Sequence, residues 1–200
     1  QGVQPIIGCE VYVAPRTRFD KQHGLDSSPY HLVLLCENNE GYQNLMKLAS
    51  AAFIDGFYNK PRVDRELLSQ YSKGLIALSA CLAGEIPRRL MEGDYKAACE
   101  AADFYTGAFG KENFFIELQN HGIEEQLQIL PGLKQLAKEK GLGLVVTNDA
   151  HYVEKEDAKM QSVLICIQTN TVLGAEGNLE FSTDEFYMKS EEEMAELFAD

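Results

Sequence analysis

The chain has 200 residues, of which 45% are hydrophobic, and its formal net charge at pH 7 is −13. This length is enough for one domain with a sizeable core, and no apolar run approaches the ~20 residues that a helix needs to span a bilayer. Because proteins bind phosphate groups mainly through Lys and Arg, the acidic balance argues against a nucleic-acid-binding module that acts by itself. We expect a soluble globular chain.

Strand-like runs alternate with helical patterns along the sequence. Apolar runs that predict strands occupy residues 5–13, 30–36, 75–81, 113–119 and 143–147. Helices are predicted at residues 40–53, after Gly84, at residues 95–109 and at residues 125–140, the last closed by Gly141. This alternation predicts a parallel sheet with helices outside it, either open or closed into a barrel, and it places the chemistry at the carboxyl ends of the strands.

The cysteines are odd in number, lie mostly within apolar runs and form no C-x-x-C pair. This pattern favours buried free thiols in a reducing cytoplasm over a disulfide framework. The five stand at positions 9, 36, 81, 99 and 166. Cys81 differs from the rest because Gly84 and Pro87 follow it, which places it where a strand passes into a loop.

Polar side chains fall on the predicted strands or at their ends. They are Glu10 within the first run, His31 near the start of the second, Cys81 at the end of the third and His121 just after the fourth. Asp149 and His151 follow the fifth run, and their two-residue spacing puts both on one side of an extended backbone, where they could converge on a divalent metal. An alternative interpretation, equally consistent with this short pattern, is that Asp149 caps the next helix and His151 packs in the core.

Charged residues also gather in clusters. The acidic groups at residues 154–157 and 191–193 are typical of solvated first turns of helices, and Ser190 opens a capping-box pattern for the second of them. Basic residues gather around Lys60 and Arg62 and at residues 88–89. These two basic clusters could meet phosphate if they lie near the polar strand ends.

Seven segments of the chain carry a resemblance to a known family. They read PIIGCEVYV at 5–13, YHLVLL at 30–35, GFYNKPR at 56–62, LSACLAGEIP at 78–87, ELQNHG at 117–122, TNDAHY at 147–152 and TDEFY at 183–187. Together they resemble the polymerase and histidinol phosphatase (PHP) domain at the N-terminus of the bacterial replicative DNA polymerase III alpha subunits. The resemblance covers nearly all of the chain. It implies an α/β fold, an irregular (β/α)7 TIM-like barrel with a metal cluster at one mouth. Residues 1–173 would form this PHP domain, and residues 174–200 would be an exit segment and first helix leading toward the polymerase body.

The resemblance also implies the site residues. The metal ligands would be Glu10, His31, Cys81, Asp149 and His151, of which Asp149 and His151 would also be catalytic. The cofactor would be divalent Zn or Mn, with Mg as a further option, and the soft Cys81 ligand favours Zn. The family pattern does not make His121 a ligand, and it is expected in a loop near the mouth. His121, Arg62 and Lys60 would contact either the ligands or a phosphate group.

One departure from the family concerns the start of the chain. Family members that keep the site open supply an H-x-H pair and a further acid and histidine from a segment that would precede Gln1. The chain begins Gln1-Gly2 without Met, which suggests that it was cut from a longer protein. We therefore expect a barrel that lacks its first strands and a partial cluster that binds metal weakly.

Two functions are consistent with the resemblance. In the first, the chain is a fragment of a replicative DNA polymerase III alpha subunit whose PHP domain performs metal-assisted phosphodiester hydrolysis as a 3′-5′ exonuclease. In the second, it is a catalytically silent module that stabilises the polymerase and docks a proofreading subunit. A free-standing phosphatase is disfavoured because residues 183–200 resemble the exit into the polymerase body. The implied partners are the rest of the polymerase chain, replicase subunits including the proofreading subunit and the sliding clamp, and DNA through the parent protein, in the cytoplasm and without a membrane.

Overall fold

The computed structural model describes residues 2–175 and 181–199. The strands of this described part are β1 (Gly8–Val13), β2 (Tyr30–Cys36), β3 (Arg62–Val63), β4 (Leu75–Leu78), β5 (Phe114–Leu118) and β6 (Gly143–Val146). Its α-helices are α1 (Asn39–Ile54), α2 (Arg65–Gln70), α3 (Glu85–Met91), α4 (Tyr95–Phe109), α5 (Glu124–Lys140), α6 (Ala158–Thr169) and α7 (Glu191–Leu197).

The chain divides into two compact units. Unit 1 comprises Gln1–Glu117 and Pro131–Val145, and unit 2 comprises Leu118–Leu130 and Val146–Asp200. Unit 1 therefore carries α1 to α4 and nearly all of the sheet. Unit 2 carries α6 and α7, and α5 contributes residues to both.

The strands form one sheet in the order β3-β1-β2-β4-β5-β6. The pairs β1·β3 and β4·β5 are parallel, whereas β1·β2 and β2·β4 are antiparallel. The prediction of a parallel sheet is therefore wrong for β2. Residues 14–29, all of them described, join β1 to β2 without a helix, so this connection is not the helical crossover typical of parallel neighbours. On its other side β1 pairs with β3 only through Tyr12 and Val13.

Most predicted elements are confirmed within a few residues. The strand at residues 30–36 and the helix at residues 95–109 have the predicted bounds, and Gly141 ends α5 with a positive φ of 63°. The core of unit 1 lies where α1 and α4 pack against the sheet, and its fully buried side chains include Leu32, Leu34, Leu75, Phe114, Ile116, Ala98, Ala102 and Tyr105. Burying each large apolar side chain contributes about 1.5–3 kcal/mol, so this layer holds the strands that carry the polar residues in place.

Unit 2 confirms two predicted helix starts. A short 3-10 helix at Lys155–Asp157 leads into α6, and α7 begins with the capping box that its sequence predicts. There the Ser190 N–H donates to the Glu193 carboxylate at 2.8 Å, and the Glu193 N–H donates to the Ser190 hydroxyl at 3.3 Å. Residues 176–180 of the predicted exit segment lie outside the described residues.

The mixed α/β architecture is confirmed, whereas the (β/α)7 barrel and the boundary at residue 173 remain predictions. Among the helices of the described residues, none is both long enough and apolar enough to cross a membrane.

Candidate metal centre

Three of the predicted ligands meet in unit 1, and the strand register explains why. Tyr12 of β1 is the register partner of His31 in β2, and Glu10 lies two residues before Tyr12 on the same face of the strand. Glu10 and His31 are therefore diagonal neighbours across an antiparallel pair, close enough for side-chain contact. The structure places the Glu10 carboxylate 3.0 Å from Nδ1 of His31.

The loop after β4 brings Cys81 to the same point. Ala80 has a positive φ of 63°, which turns the chain out of the strand, and the Gly84 N–H donates to the Cys81 carbonyl at 2.8 Å. The returning chain then accepts a hydrogen bond from the His31 N–H through the Ala83 carbonyl at 3.0 Å. Gly84 is required at this turn because a Cβ there would stand 2.1 Å from the Ser79 carbonyl oxygen.

The resulting donor set fits a divalent metal. One oxygen of Glu10, one nitrogen of His31 and the sulfur of Cys81 all lie within 4.8 Å of one another, and the Cys81 sulfur is 3.6 Å from His31 Nδ1. Around a tetrahedral Zn ion with bonds of about 2.0–2.3 Å, donor atoms lie about 3.3–3.8 Å apart. Small side-chain movements would therefore bring the three donors onto one ion. Carboxylate, imidazole and thiolate are ligand types that Zn accepts together.

Electrostatics at this cluster centre on His31. Hydrogen bonding to Cys81 and then to Glu10 raises the pKa of His31 to about 9, although burial opposes the shift. Nδ1 of the protonated His31 ring thus lies within hydrogen-bonding distance of both the Cys81 thiol and the Glu10 carboxylate. A metal ion bound through Nδ1 would take the place of this shared proton.

Tyr12 is a residue of the site that the sequence argument missed. Its ring meets the His31 ring edge to face, with centroids 5.1 Å apart and an interplanar angle of 82°. The signal was present in the sequence, because Tyr12 lies two residues after Glu10 on the same strand face. The exposed Lys60 also lies over this tyrosine, with its ammonium 5.4 Å from the ring centroid.

Arg62, the other basic candidate, lies in a different environment. It is fully buried, and its guanidinium donates to the backbone carbonyls of Gly56, Asp26, Arg18 and Asp20 at 2.9–3.3 Å. Burial lowers its pKa, but a guanidinium keeps its charge at neutral pH. These contacts make Arg62 a brace between chain segments, and they engage its guanidinium with backbone carbonyls.

In unit 2, Asp149 and His151 lie together in the segment after β6. Oδ1 of Asp149 is 3.6 Å from Nε2 of His151, and both side chains are partly exposed, at 30% and 39%. Asp149 has a positive φ of 45°, so the backbone is not extended there as the spacing argument assumed. The alternative interpretation is wrong as well, because Glu154 and Asp157 occupy the N-cap positions of the helical segments that follow.

His121 is a buried residue of the same unit. Its Nε2 donates to the Asn148 carbonyl at 2.7 Å, so Nδ1 is left to accept from the Gln126 amide at 2.9 Å. The ring also stacks on Phe186, with centroids 4.0 Å apart. Both ring nitrogens are therefore engaged, and His121 supports the turn that carries Asp149.

Comparison with known proteins identifies the family. A family model described as the PHP domain matches residues 1–121, a range that includes Glu10, His31 and Cys81. The chain is 50% identical over 199 residues to the DNA polymerase III subunit alpha of Treponema pallidum, and the match covers 99% of this chain and 17% of that protein. It is 49% identical to the protein of the same name from Thermus aquaticus, over 96% of this chain and 16% of that protein. It is 43% identical to the protein of the same name from Borreliella burgdorferi, over 100% of this chain and 17% of that protein. The chain thus spans about one sixth of the length of these relatives. The resemblance seen in its sequence motifs is confirmed, and the chain belongs to the PHP domain family.

Proposed function

We propose that this chain is a metal-dependent phosphodiesterase domain with 3′-5′ exonuclease chemistry. The observation that carries the proposal is the Glu10, His31 and Cys81 donor set, in which three different ligand types from three separate segments converge. In unit 2, Asp149 and His151 form a partly exposed donor pair of their own, and the proposal assigns metal binding to this pair as well. Among Zn, Mn and Mg, Zn suits the thiolate of Cys81 best, and Mn and Mg suit the carboxylates.

The side chains have distinct parts in this chemistry. A bound divalent ion lowers the pKa of water toward neutrality and stabilises negative charge on a phosphoryl group. Glu10 supplies negative charge that favours cation binding, Cys81 would bind the cation as its thiolate, and His31 would give up its shared proton when a cation binds. Tyr12 fixes the orientation of the His31 ring, and His121 holds the turn before His151. The catalytic roles in the proposal belong to Asp149 and His151.

We propose further that the chain is part of a DNA polymerase III alpha subunit, a DNA-directed DNA polymerase of chromosomal replication. The names of the relatives and the near-complete coverage of this chain support that assignment. On this proposal the chain works in the cytoplasm. Its partners are the remainder of the polymerase polypeptide, the other replicase subunits including a proofreading subunit and the sliding clamp, and DNA bound through the parent protein.

A second candidate function is a structural PHP module that braces the polymerase and docks a proofreading subunit. The observation that favours it is the outer surface of α1, where four large apolar side chains are 45–80% exposed. They are Tyr42, Met46, Phe53 and Ile54. Exposed apolar groups concentrated on one helix are typical of a surface that contacts another protein.

The two candidates are separated by a nuclease assay on primer-template DNA, using the full-length natural protein free of other exonucleases. With Zn or Mn present, the hydrolytic function predicts 3′-5′ degradation that falls at least about 100-fold in Asp149→Asn, together with a lower bound-metal content. Asp184→Asn is the matched control, because Asp184 is an exposed acid of the same unit that pairs with Lys155. Absence of degradation, with a metal content that Asp149→Asn leaves unchanged, would refute the hydrolytic function and favour the structural module.

A further inference from the structure

The segment from Gly56 to Arg62 is a tightly built loop in unit 1. Gly56 packs so closely against the Arg62 backbone that a Cβ there would stand 1.9 Å from the Arg62 carbonyl oxygen. Asn59 has a left-handed φ of 59°, and the Tyr58 N–H donates to the Lys60 carbonyl across this turn at 3.0 Å. The backbone conformation of Lys60 is therefore set by its neighbours.

Arg62 fixes this loop to the body of unit 1. Its guanidinium bonds one carbonyl inside the loop, that of Gly56, and three carbonyls from the segment between Arg18 and Asp26. The same guanidinium lies 5.2 Å from the centroid of the Tyr58 ring. Hydrogen bonds from a charged donor are worth about twice those between neutral groups, so the loop is held firmly at its base.

The anchored loop presents Lys60 beside the candidate metal centre. The Lys60 ammonium lies over the Tyr12 ring, and that ring touches His31 edge to face. Lys60 is exposed, and no carboxylate in the described residues lies within ion-pair distance of its ammonium. An ammonium on a flexible stem, with three N–H donors, suits a phosphate group that approaches from solvent.

We propose that Lys60 is a phosphate-positioning residue for the Glu10, His31 and Cys81 site, and that Arg62 is the anchor of the loop that presents it. The inference rests on the proposed hydrolytic function, because it takes a phosphodiester as the ligand of that site. The charge balance supports it. A chain with a net charge of −13 repels a polyanion, and a cation presented at the site by an anchored loop offsets that repulsion locally.

The test measures Zn and inorganic phosphate separately on the full-length natural protein. Zn affinity is measured by chelator competition, and phosphate affinity is measured calorimetrically with and without Zn. The variants are Lys60→Gln, Lys60→Arg and the control Lys47→Gln. Lys47 is matched because its ammonium lies 5.2 Å from the centroid of a different tyrosine ring, that of Tyr71.

We expect Lys60→Gln to weaken phosphate binding about tenfold without changing Zn affinity, because it removes one charge-assisted hydrogen bond. Lys60→Arg should restore binding to within about threefold of the natural protein, and Lys47→Gln should have no effect. In hydrolysis of primer-template DNA, Lys60→Gln should raise KM more than it lowers kcat. The Lys60→Gln variant should also reduce the slope of log DNA affinity against log salt concentration by about one unit.

Several results would overturn the proposal. Phosphate binding that Lys60→Gln leaves unchanged would do so, as would an equal loss in Lys47→Gln or no phosphate binding at all. Failure of Zn to bind would refute the proposed hydrolytic function instead. In that case the titration without Zn still decides the role of Lys60, because an ammonium that binds phosphate does so without the metal.

Discussion

Replacing Arg62 with Met should destabilise the protein strongly, because it removes a buried cation on which two chain segments depend. Four hydrogen bonds from the guanidinium to backbone carbonyls are lost, and hydrogen bonds to charged groups contribute about 1.5–3 kcal/mol each. Burying the guanidinium charge costs several kcal/mol in the natural protein. The variant avoids this cost, which offsets part of the loss. We expect a net loss of about 3–5 kcal/mol in the free energy of unfolding, the range found when a buried charged contact is broken.

Urea denaturation followed by far-UV circular dichroism measures this change as a lower midpoint at an unaltered slope. Lys60→Met is the matched control in the same loop, and it should change the free energy of unfolding by less than about 0.5 kcal/mol because Lys60 is exposed. Hydrogen exchange in residues 56–62 should speed up in the Arg62 variant alone. A loss below about 1 kcal/mol, or equal losses in the two variants, would refute the anchoring role of Arg62.

Three further predictions concern other residues of unit 1. Measured by chelator competition, Cys81→Ser should lower Zn affinity at least about tenfold. The control Cys99→Ser, which replaces a thiol on α4, should leave Zn affinity unchanged. Equal effects of the two variants would show that Cys81 is not a ligand. In urea denaturation, Gly56→Ala should lower the free energy of unfolding by about 2–4 kcal/mol. The control Gly107→Ala, on α4 where a Cβ meets nothing, should raise it by up to about 1 kcal/mol. A neutral Gly56 variant would contradict the close packing. Hydrogen bonding to Arg16 lowers the pKa of Asp26 to about 2, below its unfolded value of about 4. The contribution of the Asp26 carboxylate to stability is therefore present above pH 4 and is lost as the pH falls through 2. Asp26→Asn should flatten the plot of unfolding free energy against pH in that window. An unchanged plot would contradict the pairing of Asp26 with Arg16.

Local patterns predicted much of the fold. The helix at residues 95–109 begins with the capping acid Asp94, and α7 begins with the capping box of Ser190, so both helix starts are written in a few adjacent residues. The strand at residues 30–36 is equally clear, because its apolar run is long and bounded by polar loops. For the same reason Glu10, His31 and Cys81 could be selected before their contacts were known. Each is a polar residue at an apolar run or at its end.

The remaining features depend on contacts between distant segments. The antiparallel direction of β2 follows from a connection without a helix, which the alternation of elements did not reveal. Arg62 stands beside Lys60 in sequence and looks like part of one basic patch. Its burial depends on carbonyl groups 36–44 residues earlier in the chain, and no local pattern encodes them. The left-handed backbone at Asp149 likewise depends on the surrounding fold, since an acid in this position has no glycine-like sequence signal.

The free side of β1 gives Glu10 a second physical role. Among the described residues, pairing with β3 is confined to the last two residues of β1, and the exposed Ile6 and Ile7 come just before the strand. Such a stretch offers backbone hydrogen-bonding groups to a further strand, whether of the same polypeptide or of another molecule. The carboxylate of Glu10, 42% exposed, places a negative charge there, and two copies that meet along this edge repel each other. A neutral substitution at Glu10 would therefore promote self-association as well as weaken metal binding, whereas a variant at His31 or Cys81 would weaken metal binding alone.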